Sequence, residues 1–181
     1  MLNIFTSPCE IKDATEQIYK EMKPKGGVKD VFCVACGGSL ASLYPLYYLL
    51  RCESKNTVAT SVTANEFIYA TPVRVNENAI VVCLSLTGTT RETVAAAKRA
   101  KDLGATVITI AGKDDSALAE NGNYNWVFSN ETGSGEINYE SSNMAIALRF
   151  GFELLRLYDN YKYYEKAIAG FAVLNRSLKN V

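Results

Sequence analysis

Short apolar runs alternate with helical patterns along this chain, and that alternation limits its possible folds more than any other feature. The runs occupy positions 31–36, 57–62, 79–84, 105–110 and 125–129. Helical periodicity is clearest at 90–103 and 142–158. Short runs that are apolar throughout are typical of strands covered on both faces, and strands alternating with helices form parallel sheets with helices on both sides. We therefore predict an α/β fold, a three-layer α/β/α sandwich around a five-stranded parallel sheet.

Two further helices are predicted outside this alternation. Ser7 has the position of an N-cap, with Pro8 in the first turn and Glu10 placed to close a capping box. The closing stretch, 160–178, carries apolar residues at helical spacing and needs a surface to cover. That surface belongs to this domain, to a second copy or to a further domain.

Charge and composition point to a small-molecule partner. Nineteen basic residues balance nineteen acidic ones, which favours neither nucleic acid nor an anionic membrane surface. We find no apolar stretch long enough to span a membrane and no secretion signal, so we expect a soluble cytoplasmic protein. Three of the five cysteines lie in apolar runs, and alternation along a strand turns Cys33 and Cys36 to opposite faces. The chain has no histidine, and we expect neither a metal nor a cofactor.

The third apolar run ends in a loop rich in hydroxyl groups, with the sequence SLTGTT at 85–90. In parallel sheets, ligands bind beyond the carboxyl ends of the strands. Thr89 and Glu92 have capping-box spacing, so the next helix would present unpaired amides and a positive dipole end here. Ser85, Thr87 and Thr90 could then donate to phosphate oxygens. The alternative is that these hydroxyls only cap the helix and satisfy a turn.

A second glycine and hydroxyl loop follows the first strand. Gly37, Gly38 and Ser39 stand at the same end of the predicted sheet, so the two loops can face one phosphate group from two sides. Neither loop has a Walker A or dinucleotide-binding pattern, which argues against nucleoside triphosphates and NAD. Pro45 lies six residues beyond Ser39 and predicts a kink or a later start for the following helix.

Three segments in order, ACGGSLAS at 35–42, NEFIYATP at 65–72 and SLTGTTRET at 85–93, resemble the sugar isomerase (SIS) domain family. They are most similar to the first SIS domain of fructosamine-6-phosphate deglycases and of the isomerase half of glucosamine-6-phosphate synthase. The resemblance implies a flavodoxin-like fold and a homodimer. It also implies a phosphosugar ligand such as fructose-6-phosphate or a fructosamine-6-phosphate.

The same resemblance assigns site residues by position. The implied phosphosugar-binding residues of the two loops are Gly37, Gly38, Ser39, Ser85, Leu86, Thr87, Gly88 and Thr90. Ser141 and Ser142 would complete the sugar site, although an N-cap role alone explains either of them, and Asn143 takes the place of a lysine. Glu66 would orient the sugar or the dimer partner, or else simply cap a helix.

Family members that isomerise sugars use a glutamate and a histidine, and this chain has no histidine. One interpretation is an N-terminal part of a two-domain isomerase or deglycase, with residues 1–30 as a leading helix, 31–158 as the SIS domain and 159–181 leading to a second SIS domain. Another is a single-domain isomerase with Glu66 or Glu140 as the base. The third is a non-catalytic phosphosugar sensor. The motif set favours the first.

Overall fold

The computed structural model describes residues 5–128 and 139–178. Its five strands are β1 (Asp30–Ala35), β2 (Val58–Thr63), β3 (Ala79–Ser85), β4 (Thr106–Ala111) and β5 (Tyr124–Val127). All neighbouring pairs are parallel, in the order β2-β1-β3-β4-β5. The predicted α/β fold with a five-stranded parallel sheet is confirmed. Positions 1–4, 129–138 and 179–181, which the predicted segments include, lie outside the described residues.

Helices cover both faces of the sheet. They are α1 (Pro8–Met22), α2 (Gly37–Glu53), α3 (Ala64–Tyr69), α4 (Arg91–Asp102), α5 (Asn143–Asp159) and α6 (Tyr164–Leu178). Helices α1, α2 and α5 pack together on one face, and α3 and α4 pack together on the other. Within the described part of the chain, no helix is both long enough and apolar enough to cross a bilayer.

The sheet separates two hydrophobic cores because successive side chains of a strand point to opposite faces. In β1, Cys33 belongs to the core under α1, α2 and α5, and Val34 to the core under α3 and α4. Strands β1 and β3 are buried along their whole length, whereas the edge strand β2 is half exposed. Fully burying a large apolar side chain such as Phe150 contributes about 1.5–3 kcal/mol, so these runs dominate the packing.

A buried carboxylate joins the last helix to the rest of the fold. Glu153 of α5 is 1% exposed and accepts hydrogen bonds from the Tyr164 hydroxyl and from Nε of Arg156, the latter at 2.8 Å. Arg156 reaches Oε1 of Glu16 in α1, also at 2.8 Å. The predicted closing helix therefore finds a surface within this domain, and its start is fixed by polar contacts as well as by packing.

Helix α1 begins as predicted, but α4 does not. In α1 the Glu10 amide donates to Ser7 Oγ at 3.2 Å and the Ser7 amide to Glu10 Oε2 at 2.6 Å, which is the full capping box. The capping box expected from Thr89 is wrong, because the N-cap of α4 is Thr90 and its side chain makes no capping bond. The Thr90 hydroxyl instead lies 2.9 Å from Oγ of Ser85.

Pro45 lies inside α2, which begins at Gly37, so the expected later start is wrong. A proline within a helix removes one donor, and the carbonyl that loses its partner here belongs to Ala41, four residues earlier. Ala41 is exposed, so water can replace the missing donor. The helix therefore continues through Pro45.

The strand order places a topological switch point between β1 and β3. From β1 the chain crosses to β2 on one side, and from β3 it crosses to β4 on the other, so the two connections leave in opposite directions. The crevice beyond the carboxyl ends of such strands is where open parallel sheets bind ligands. The two polar loops of the sequence follow these two strands.

Candidate functional site

The two loops lie side by side because β1 and β3 are hydrogen-bonded neighbours. Ala35 pairs with Leu84 in the sheet, so Cys36 and Ser85 stand at the same level at its carboxyl edge. The Thr93 hydroxyl at the start of α4 donates to the Cys36 sulfur at 3.8 Å and links the two loops directly. Segments 57 positions apart in the sequence are thereby brought to one site.

A pocket of about 350 Å³ opens between the loops. Its lining residues are Cys36, Gly38, Ser39, Ser42, Leu86 and Asn143. They come from the β1–α2 loop and first turns of α2, from the β3–α4 loop, and from the first residue of α5. The volume lies at the small end of the range of small-molecule sites, which suits a compact metabolite.

The hydroxyl groups of the β3–α4 loop pair with one another. Ser85 is 1% exposed, and its Oγ lies 2.9 Å from Thr90 Oγ1. Thr87 Oγ1 lies 2.7 Å from Thr89 Oγ1. Each pair uses only one of its two hydroxyl protons, so each keeps a donor that can turn to a ligand.

Gly88 allows this loop to pack against the segment that follows β4. Its φ of +69° is in the left-handed region, and a Cβ at this position would lie 2.2 Å from the Cβ of Ser116. The Gly88 carbonyl accepts from the Leu118 amide at 2.9 Å, and the Leu86 carbonyl accepts from the Gly112 amide at 3.1 Å. The segment that follows β4 therefore holds the β3–α4 loop in place through these hydrogen bonds, and only glycine fits at position 88.

Helices α2, α4 and α5 all begin beside the pocket, and none of the six lining residues carries a charge. The first amides of α2 and α4 have no partners within their helices, and each helix carries a positive dipole end there. This combination attracts an anion, and the hydroxyl groups of Ser39 and of the β3–α4 loop add neutral donors. The lining of the pocket therefore suits a phosphate ester held by neutral donors.

The structure distributes the predicted loop residues in two ways. Gly38, Ser39 and Leu86 line the pocket. The others stand in the same two loops without lining it, with Ser85 and Gly88 buried, Thr90 half-buried, and Gly37 and Thr87 exposed. Their roles as phosphate ligands stay predictions.

Ser141 and Ser142 lie just before α5, in a short turn at the side of the site. Ser142 is the N-cap of α5, since its Oγ accepts from the Ala145 amide at 3.3 Å. The same hydroxyl donates to the Tyr139 carbonyl at 2.8 Å. Helix capping therefore accounts for Ser142, and contact of either serine with a sugar stays a prediction.

Glu66 caps α3. Its amide donates to Thr63 Oγ1 at 3.3 Å, and its carboxylate accepts from the Thr63 hydroxyl at 2.7 Å and the Thr63 amide at 3.0 Å. These hydrogen bonds lower the pKa of Glu66. The observed contacts are those of the capping interpretation.

Glu140, the other predicted base, is half-buried in the turn before α5. It lies close enough to Arg149 to raise the pKa of that guanidinium, against a stronger lowering by burial. It does not line the pocket between the loops. A catalytic role for Glu66 or Glu140 stays a prediction.

Three lining residues were not among the residues assigned to the site from the sequence: Cys36, Ser42 and Asn143. Ser42 follows Ser39 by three positions, so both lie on one face of the first turns of α2, and this spacing is a usable sequence signal. Cys36 directly precedes the glycine pair. Asn143 was noted only through the family resemblance, as the residue in place of a lysine, and no local pattern predicts that it lines the pocket, because that depends on how α5 packs.

Comparison with known proteins identifies relatives of this arrangement. A family model described as the SIS domain matches residues 28–137. The fructosamine deglycase FrlB of Bacillus subtilis (strain 168) is 34% identical over 179 residues, which cover 93% of this chain and 54% of the deglycase. A glutamine–fructose-6-phosphate aminotransferase (isomerizing) of Caldanaerobacter subterraneus is 33% identical over 102 residues, which cover 55% of this chain and 16% of that enzyme.

Solved structures agree with these relatives. A candidate phosphosugar isomerase from Salmonella typhimurium LT2 superposes with a TM-score of 0.85 at 28% identity, covering 96% of this chain and 52% of that one. A second, from Bacillus subtilis, has a TM-score of 0.80 at 31% identity, with 93% and 52% covered. The chain thus spans about half the length of the deglycase and of both structures.

Proposed function

The chain belongs to the SIS domain family, and on that premise we propose that it binds a phosphosugar in the pocket between the β1–α2 and β3–α4 loops. The observation that carries the proposal is the convergence of several helix starts and neutral donors on a pocket with an uncharged lining, at the switch point of the sheet. Such an arrangement favours an oxyanion over a neutral or cationic ligand. The expected ligand is fructose-6-phosphate or a fructosamine-6-phosphate.

The proposed phosphate contacts come from both loops. They are the hydroxyls of Ser39, Ser85, Thr87 and Thr90 and the backbone of Gly37 and Gly38, with Leu86 beside them and Gly88 as the glycine that lets the loop approach the phosphate closely. Ser85 is buried and paired with Thr90, and this pair keeps one hydroxyl proton that can turn toward the phosphate. Ser141 and Ser142 complete the site on the sugar side.

We further propose that the chain supplies the phosphate site of a sugar-phosphate isomerase or deglycase. The chain spans 54% of the deglycase FrlB, and it contains no histidine for general acid-base chemistry. The proposed organisation is a helix at 1–30, the SIS domain at 31–158, and a segment at 159–181 that leads to a second SIS domain with the acid-base groups. A cytoplasmic homodimer is the proposed working state.

The absence of histidine from the sequence also favours a second function, a non-catalytic module that senses a phosphosugar. Ligand binding alone fits both functions, so turnover separates them. Isomerase and deglycase activity is assayed on the 181-residue chain and on any longer polypeptide that contains it. Ligand binding without turnover by either one supports the sensor. If the 181-residue chain turns over substrate and loses that activity when Glu66 or Glu140 is replaced, the single-domain isomerase is supported.

Thermal unfolding with and without ligand tests the binding proposal. A ligand at about 100 times its Kd stabilises the folded state by about 2.7 kcal/mol, which corresponds to roughly 5–10 °C in Tm for a chain of this size. We expect such a shift with fructose-6-phosphate and none with fructose. Equal shifts with the two sugars would overturn the phosphate assignment.

Two variants localise the effect. Replacing Ser85 and Thr87 together by alanine removes two proposed donors and should abolish the shift while the fold is retained. Ser61→Ala is the matched control, because Ser61 is an exposed serine in the edge strand β2, away from both loops. A double variant that keeps the full shift would remove these hydroxyls from the proposal.

A further inference from the structure

The pocket has a third wall that neither polar loop provides. Asn143 is the first residue of α5 and reaches the pocket from the connection after β5, whereas the other lining residues follow β1 or β3. Capping of α5 does not require its side chain, because the Ser142 hydroxyl already accepts the Ala145 amide. Its position in the pocket is therefore open to another role.

Hydrogen bonding orients the Asn143 amide. The Met144 backbone amide, which can only donate, lies 2.7 Å from one amide atom of Asn143, so that atom must be the oxygen Oδ1. The amide nitrogen Nδ2 makes no hydrogen bond to any other residue in the described part of the chain. The side chain thus offers a fixed donor at the pocket while its acceptor is occupied.

From these contacts we infer that Asn143 is a specificity-determining residue, which donates from Nδ2 to an oxygen of the sugar portion of the ligand. The inference rests on the proposed phosphosugar function, because the two loops must first place the phosphate. A neutral amide donor suits a hydroxyl, ring or carbonyl oxygen and does not repel a protonated amine on a fructosamine. It adds discrimination between phosphate esters without adding charge.

Leu86 provides the complementary surface. This apolar residue is 56% exposed, and it lines the same pocket. A sugar presents C–H groups as well as hydroxyls, and an apolar wall beside an amide donor matches that mixed surface. Inorganic phosphate would use neither feature, so the pair extends recognition beyond the phosphate.

The test compares two phosphate monoesters by isothermal titration calorimetry: fructose-6-phosphate, and glycerol 3-phosphate, which lacks the sugar. Asn143→Ala should weaken fructose-6-phosphate about tenfold, the worth of one hydrogen bond of about 1.4 kcal/mol, and leave glycerol 3-phosphate unchanged. Asn143→Asp keeps an oxygen for the Met144 amide and loses the donor. This variant should preserve the start of α5. It should lower the preference for fructose-6-phosphate over glycerol 3-phosphate at least as much as Asn143→Ala does.

The outcomes separate the two proposals. If the wild-type chain binds neither ester, the proposed function fails. If it binds both and Asn143→Ala weakens them by the same factor or not at all, the phosphate site stands and the role of Asn143 is overturned. A fall in the ratio for both variants supports the inference.

Discussion

Gly88 should be the most sensitive position of the β3–α4 loop, for two separable reasons. Its φ of +69° lies where a residue with a Cβ costs about 1–2 kcal/mol. A Cβ there would also lie 2.2 Å from the Cβ and 2.3 Å from the Oγ of Ser116, which is 4% exposed. Relieving such an overlap in a packed site typically costs a further 1–3 kcal/mol or so. We expect Gly88→Ala to lower the free energy of unfolding by about 2–5 kcal/mol.

Gly37 offers a matched control in the other loop. Its φ of +52° is also left-handed, but a Cβ at Gly37 would have no neighbour within 4 Å. Gly37→Ala should therefore cost only the conformational part, about 1–2 kcal/mol. Urea unfolding followed by circular dichroism measures both losses, and equal losses would refute the argument from Ser116.

A double variant tests the contact itself. Ser116→Gly removes Cβ and Oγ of Ser116, the two atoms closest to the new methyl group, and with Oγ the hydrogen bond that it accepts from the Ala119 amide at 3.3 Å. Alone, this change should cost about 1 kcal/mol for the lost hydrogen bond and more for chain flexibility. Combined with Gly88→Ala, it should cost clearly less than the sum of the two single changes. Additive losses would place the strain elsewhere.

Two further predictions follow from ionisable groups. Burial, and after it the hydrogen bond to Glu153, raises the pKa of Tyr164 to about 12. Between pH 10 and 12 the tyrosine therefore ionises in the unfolded chain but not in the folded one. The stability that Tyr164 contributes is complete below pH 10 and is lost over that window. Tyr164→Phe should make stability fall less steeply over that window, and an unchanged slope would contradict this. Burial raises the pKa of Cys33 to about 12 and the pKa of Cys83 still further, so a thiol reagent should reach both only after unfolding. Cys36 is partly buried and lines the pocket, so it should react slowly in the native chain and be shielded by fructose-6-phosphate. Rapid modification of all five cysteines in the native chain would contradict both expectations.

The sheet could be predicted because its strands are buried on both faces. An unbroken apolar run such as that of β3 predicts a buried strand without any knowledge of the tertiary structure. The capping box of Ser7 and Glu10 is also a local signal, and the structure confirms both of its hydrogen bonds. The meeting of the two polar loops followed from a general property of parallel sheets. These parts of the fold and site depend on local pattern and chain order.

The errors and omissions depend on packing. Thr89 is the stronger sequence signal, because Glu92 follows it at capping-box spacing, yet the backbone of the loop makes Thr90 the N-cap and the Thr90 hydroxyl pairs with that of Ser85. The continuation of α2 through Pro45 depends on the exposure of the preceding turn. Asn143 reaches the pocket only because α5 packs beside α2, which no local pattern reveals.

The uncharged lining of the pocket has a kinetic consequence. Attraction between opposite full charges is weakened by dissolved salt, whereas contacts through amides and hydroxyls at short range are screened far less. With no net charge on the chain and none among the six lining residues, long-range steering adds little to ligand capture. Affinity and the rate of ligand capture should accordingly vary little with ionic strength.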